Sequence, residues 1–317
     1  MTKIAKNYLN LFNHMKASKT LSNSLIILLS FLSSLFFIQP KAAQAEESPL
    51  CPDPTTTTIT SINGTDDDTS FFSLTGGNGF CRSTPDTYGV TVYKMGFCKK
   101  NPGNPTGSDP LEGEEPNYND SSCTWSFEST SGTVADFSAG GSIDLTEANS
   151  SVPAYGTYPH AVMLISNTFR IKGKYGPVAG LTYYTTDTFD EPSTEISNFD
   201  VTDAPLDSFS GPTECTASTE GEVVAGGTIS GYLLDSNGTM LVSDKEEGSY
   251  DTINPCTEQE KLLGVMNMAN NLTLSDTTKG LKMTFIVTNN GMSVMGANNG
   301  TSMKFDSGPF SVTFETF

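Results

Sequence analysis

A predominantly apolar run from Leu21 to Ile38, closed by Pro40 and followed by Ala43-Gln44-Ala45, decides the compartment in which this chain must fold. Lysines and no acids precede the run, and a small-x-small pattern follows it. This is the layout of an export signal, so residues 1–45 are expected to be a signal peptide cleaved after Ala45. A retained anchor is the alternative, because the run is about the minimum length for a span, near 18 residues. Asn23, Ser30, Ser33 and Ser34 interrupt it and favour cleavage. A lipoprotein would carry cysteine at the cleavage point, but Cys51 follows Ser48-Pro49-Leu50. A type IV pilin would carry an early glutamate, which the run lacks. No second long apolar run follows, so no transmembrane segment is expected after cleavage and the localisation is periplasmic, cell-surface or extracellular.

Export changes the meaning of the cysteines. Cys51, Cys81, Cys98, Cys123, Cys215 and Cys256 all lie beyond Ala45. An even set in an oxidising compartment reads as disulfides rather than reactive thiols. Spacing does not choose among the pairings; sequential pairing is the expectation, as Cys51–Cys81, Cys98–Cys123 and Cys215–Cys256. The Cys98–Cys123 bond would clip a loop of Pro, Gly, Asn and acid, Asn101 to Ser122, whose composition cannot pack a core. Closing such a loop contributes about 3 kcal/mol by restricting the unfolded chain.

Charge excludes one class of partner. The chain holds 36 acidic and 17 basic residues. Discarding the signal removes five lysines and no acids, which leaves a net charge of −24 on 272 residues. Such a surface repels nucleic acid and anionic membranes and attracts cations. Adaptation to a salty medium, which screens self-repulsion, accounts for the same balance.

The pattern along the chain is β throughout. Residues 46–70 are rich in Thr and Asp and read as a flexible N-terminal arm tied by Cys51, with structured chain beginning near Phe71. Tyr88 to Cys98 is rich in β-branched and aromatic residues, with Val90 and Val92 on one face, and reads as a strand. Thr124–Glu128 alternates and reads as its partner, with Trp125 packing in the core. Further strands are expected at Thr133–Phe137 and Gly141–Leu145. Tyr158 to Lys172 is the most apolar stretch and should cross the middle of the fold. Gly180–Asp187 returns after a turn at Gly173–Gly176. Acid, Ser, Thr and Pro dominate residues 188–221, which read as a linker or loop between a first lobe, 71–187, and a C-terminal meander, 222–317, unless both form one domain.

In the second half, Asp235-Ser236-Asn237-Gly238, Asn289-Asn290-Gly291 and Asn298-Asn299-Gly300 carry the positive-φ chemistry of tight hairpins. They separate Thr228–Leu234 from Thr239–Val242 and Leu281–Thr288 from Met292–Met295, and introduce Thr301–Phe305; the last strand is Pro309–Phe314. Thr257 with Glu260 forms a capping box ahead of Leu262, which suits a helix. Gly264, Asn270 and Asn271 weaken it, so Leu262–Met268 reads as a strand.

These signals make an all-β fold, an antiparallel β-sandwich of one or two lobes stabilised by disulfides. The strand at Asp144-Leu145, then Val152-Pro153-Ala154-Tyr155-Gly156-Thr157-Tyr158, resembles the hairpin approach of bacterial transthyretin-like surface domains, with Tyr155 inserted into their pattern. The resemblance implies a sandwich of transthyretin or immunoglobulin type and carries no catalytic motif. An outer-membrane barrel is the rival. Phe310, Val312 and Phe314 alternate but leave Phe317 out of phase, and the strands are short for lipid-spanning segments.

Catalytic signals are few. His14 leaves with the signal and His160 stands alone beside Pro159, so a histidine-rich metal site is excluded and a serine triad would depend on His160. It reads as structural. No Gly-x-Ser-x-Gly elbow or phosphate-cradling loop is present. Carboxylates are abundant, and a glycosidase needs only two across a cleft. Calcium is the cofactor that acidic oxygen clusters would take, at Asp66, Asp67 and Asp68 beside Asn63, or at Asp187, Asp190 and Glu191. Asp235-Ser236-Asn237-Gly238 imitates an EF-hand centre but lacks its flanking ligands. Asn63, Asn119, Asn149, Asn237, Asn271 and Asn299 head glycosylation sequons that Asn-rich turns produce by chance.

The expectation is an exported, non-catalytic protein of a bacterial envelope or the extracellular space, with a structural, adhesive or ligand-binding role. Its partners would be other envelope proteins, glycan or copies of itself. The alternatives are a secreted carboxylate-dependent polysaccharide hydrolase and a pilus or surface-layer subunit, the last completed by a neighbour's arm such as Pro52–Ser70.

Overall fold

The computed structural model describes residues 49–63, 68–77, 79–105, 118–137, 151, 153–209, 217–224, 226–236, 238, 259–278, 281–297, 302–308 and 310–316. The strands are β1 (Phe80–Ser83), β2 (Thr87–Cys98), β3 (Cys123–Asp136), β4 (Gly156–Lys172), β5 (Lys174–Val178), β6 (Leu181–Tyr184) and β7 (Thr202–Pro205). They continue as β8 (Ser218–Val224), β9 (Gly227–Asp235), β10 (Gln259–Leu274), β11 (Leu281–Ile286), β12 (Met292–Ala297), β13 (Ser302–Ser307) and β14 (Ser311–Thr316). Among the described residues, one short α-helix, α1 (Phe71–Leu74), is capped by the Ser70 hydroxyl, which accepts from the Ser73 amide. Among the described residues, no helix is long and apolar enough to cross a membrane.

The main sheet runs β3-β2-β4-β10-β9-β8, with β7 paired to the far end of β4. All its pairings are antiparallel. The most apolar segment, β4, therefore lies at its centre. Period-two alternation sends successive β4 side chains to opposite faces. Met163 and Ile165 enter the largest core cluster, while Val162 and Leu164 enter a second one. The neighbouring strands follow suit: Leu233 and Leu262 face the first cluster, and Tyr232, Leu234, Leu263 and Val265 the second. A central sheet buried on both faces explains the unbroken apolar runs Ala161–Ile165 in β4 and Leu262–Met266 in β10.

The first face is covered by the sheet β1-β12-β13, whose Cys81, Met292, Val294, Met303 and Phe305 are buried, and by the hairpin β5-β6. Phe285 of β11 and Phe310 pack beside them, with Phe285 and Phe137 ring centroids 4.2 Å apart. The described ends of the loop that the Cys98–Cys123 disulfide closes lie against the second face. Pro102 and Gly103 are buried there, and Asn101 donates an amide hydrogen bond of 2.9 Å to the Tyr232 hydroxyl. A side chain at Gly103 would overlap the Tyr232 ring. Residues 101–103 of the clipped loop thus pack on the core, while residues 106–117, which carry most of its Pro, Gly and acid, lie outside the described residues.

All-β architecture, antiparallel layers and two disulfides agree with the sequence reading. Several details do not. The arm is pinned along the described residues before Phe71: Ile59 and Ile62 are buried, Ile59 bridges Val178, and Ser61 bridges Ser70. Two isoleucines within the threonine run suffice to anchor it. Thr124–Glu128 and Thr133–Phe137 belong to one bulged strand, β3. The turn between Lys172 and Leu181 falls at Ala179-Gly180, with φ of 50° and 81°, and not at Gly173–Gly176. Asn289-Asn290-Gly291 does not join hairpin partners, since β11 pairs with β14 and β12 with β1 and β13. Strands on either side of residues 188–221 share the main sheet within one compact unit, Ala45–Phe317, so that segment is not a boundary between lobes.

The capping box at Thr257 is overruled, because Lys261–Asn267 ladders with β4 on one side and β9 on the other. The expected strands at Gly141–Leu145 and Thr239–Val242, the Asn298-Asn299-Gly300 turn, and Cys215 and Cys256 lie outside the described residues, as do residues 1–45, the expected signal peptide.

Candidate ligand-binding cleft

A cleft of about 450 Å³ opens beside the Cys51–Cys81 disulfide. Its first wall is the chain entering the fold. The Arg82 amide donates to the Pro49 carbonyl at 2.8 Å and the Cys51 amide to the Arg82 carbonyl at 2.9 Å. These bonds lay residues 49–51 alongside β1, and the disulfide locks them there. Asp53 then turns the chain, accepting from the Thr55 amide and hydroxyl at 2.9 and 2.7 Å.

The floor is the hairpin β5-β6. Lys174 lies opposite Tyr184, and the pleat brings Gly176 and Thr182 to the same face. Gly176 has φ 145°, and a methyl there would sit 2.6 Å from the Leu181 carbonyl oxygen, so a larger residue would break the hairpin. Tyr175 is buried but reaches the wall, donating 2.7 Å to the Pro52 carbonyl. The far wall is Thr84 and Asn289; the Asn289 amide donates to the Thr84 hydroxyl at 2.7 Å, and Asn289 holds φ 59°. Arg82 extends along this wall and its guanidinium donates to the Asn290 side-chain oxygen.

The chemistry of the cleft follows from its charges. Arg82 and Lys174 supply two cations and Asp53 one carboxylate. Hydrogen bonds from the Thr55 side chain and then its backbone hold the Asp53 carboxyl below its ordinary range. It stays ionised, the wrong state for a general acid. Burial, and then the Asp53 charge, push the Tyr175 phenol upward, so it remains a proton donor to Pro52. Around the cleft, Tyr184 packs against Phe199 at 5.3 Å, and the Lys172 ammonium lies 4.5 Å over the Phe199 ring.

Among the described residues, the one carboxyl whose pKa is raised lies elsewhere. Burial pushes Asp306 up to about 6, and Asp190 adds to this, against an opposing hydrogen bond from the Ser307 amide at 2.7 Å. Asp306 does not line the cleft.

Asp187, Asp190 and Glu191, the second calcium cluster, are not brought together. Asp190 pairs with Lys304 at 2.7 Å, and Asp187 accepts from the Thr188 hydroxyl. Among the described residues, no group of three His, Cys, Asp or Glu side chains is placed to hold a metal. A void of about 10 Å³ lies beside Asp190 and Glu191, with the buried Thr202 hydroxyl unpartnered at its edge; it has room for about one water. Asp68 is exposed, and Asp66 and Asp67 lie outside the described residues.

His160 sits within β4 opposite Cys98, and burial lowers its pKa. Its Nδ1 is buried without a protein hydrogen-bond partner, which disfavours the charged imidazolium. Trp125 is half-buried rather than central, with the Lys94 ammonium 4.9 Å over its ring; Phe127 takes the core position.

Sequence reasoning missed the cleft residues. The available signal was the scarcity of bases, which makes Arg170, Lys172 and Lys174 a conspicuous run in an acidic chain. Compared with protein-family models, curated proteins and solved structures, the chain matches none of them.

Proposed function

We propose that this chain is an exported, non-catalytic protein of a bacterial envelope or the extracellular space, and that its crosslinked sheets present a ligand-binding cleft. The observation that carries this reading is the composition of that cleft. It offers two cations, two tyrosines and one hydrogen-bonded carboxylate, without the close acid pair that polysaccharide hydrolysis needs. The closed Cys51–Cys81 and Cys98–Cys123 bonds support an oxidising compartment. The assembly-subunit reading loses its donor strand, since residues 52–62 are fastened to their own chain.

Fusing residues 1–45 to alkaline phosphatase, which gains activity only after export, tests the localisation in a bacterial host. Activity is expected. An inactive, uncleaved fusion retained in the cytosol would refute the reading.

A further inference from the structure

We propose that the cleft beside the Cys51–Cys81 bond takes an anionic saccharide, a sugar chain carrying carboxylates. Its size, about 450 Å³, lies within the range of small-ligand sites, roughly 300–1,000 Å³. Its charge runs against the chain. Acids outnumber bases 36 to 17 overall, yet Arg82 and Lys174 meet a single acid here. Lys174 is exposed and makes no ion pair among the described residues, a trait it shares with Lys99, Lys100 and Lys172, but of these four it is the one that lines the cleft; Lys94, Arg170 and Lys304 each find a carboxylate. A cation left without a protein carboxylate in so acidic a chain is suited to an anion from outside.

The other lining groups select the sugar. Hydroxyls of Ser83, Thr84 and Thr182 and the Asn289 amide offer neutral hydrogen bonding, and Leu50 and two prolines are the main aliphatic surface. That inventory suits a ligand dense in hydroxyls and poor in apolar groups. Tyr184, braced by Phe199, lines the cleft and supplies an aromatic ring for the C–H face of a sugar to pack on. The walls are set before any ligand arrives, by the disulfide, the Tyr175–Pro52 bond and the Thr84–Asn289 bond. Preorganisation of that kind lowers the entropy cost of binding.

The ligand class rests on the proposed function in one respect: acidic sugar chains are material of the cell exterior. The test uses the purified full chain in calorimetric titrations at low salt with tetragalacturonate, its fully methyl-esterified form, a tetraglutamate peptide and inorganic phosphate. The free acid is expected to bind, with the neutral ester at least about tenfold weaker, and Lys174→Glu is expected to weaken the acid by about tenfold. Lys174 is exposed, so an unchanged melting temperature will show that this variant is folded; Tyr184→Ala should weaken acid and ester alike. Absence of binding, equal binding of acid and ester, or an unaffected Lys174→Glu variant would overturn the proposal. So would phosphate or peptide binding as tightly as the sugar acid. Any of these results leaves the export reading intact, because the phosphatase fusion tests that separately.

Discussion

Asp306 should make this protein more stable in mild acid than at neutral pH. Its carboxyl is raised from 3.8 to about 6, first by burial and then by the charge of Asp190. A folded-state pKa above the unfolded value means that the folded chain binds the extra proton. The stabilisation is therefore complete below about pH 4 and is lost as pH rises through about 6. A shift of about two units corresponds to at most about 3 kcal/mol. Asp306→Asn isolates this term, because the amide oxygen still accepts from the Ser307 amide while no charge forms. Urea denaturation of both proteins from pH 4 to 8 is the assay. The two should converge near pH 4, and the variant should become more stable by up to about 3 kcal/mol at pH 8. A constant difference, or a variant less stable at pH 8, would refute the argument that burial raises this carboxyl.

Replacing Cys51 and Cys81 together by alanine should cost about 3.6 kcal/mol in urea melts, from the entropy returned to a 30-residue unfolded loop. Leu263→Ala, deleting a fully buried side chain from the centre of β10, should cost about 2–5 kcal/mol by the same assay. Gly103→Ala should lift this stretch of the clipped loop from Tyr232, read as faster hydrogen exchange at the Asn101, residue 103 and Asn104 amides with the β4 amides unchanged. Millimolar calcium should shift the melting temperatures of Lys304→Ala and the natural chain alike, because Asp187, Asp190 and Glu191 are not brought together; a larger rise for the variant would show that this loop takes the ion.

The long strands were legible because their burial is written locally. In β4, alternate residues enter opposite cores, and the apolar run from Ala161 to Ile165 records both faces at once. Partner choice was not legible. Asn289-Asn290-Gly291 specifies a reversal, but only packing decides that β11 joins β14 while β12 joins β1. The pinning of the arm was hidden because Ile59 and Ile62 are isolated among threonines, and their burial depends on a hairpin more than a hundred residues later. The cleft was hidden for the same reason. Residues 50–54, 82–84, 174–184 and 289 come from four places in the chain, and no local spacing announces their meeting. Two of the disulfides expected in sequential order, Cys51–Cys81 and Cys98–Cys123, are present, although spacing alone did not select them from the possible pairings.

A non-reducing peptide map of protein taken from its native source examines the central claim most directly. The account predicts crosslinked peptides joining Cys51 to Cys81 and Cys98 to Cys123, and an amino terminus at Glu46. Free thiols at these positions, together with peptides from the first 45 residues, would contradict it.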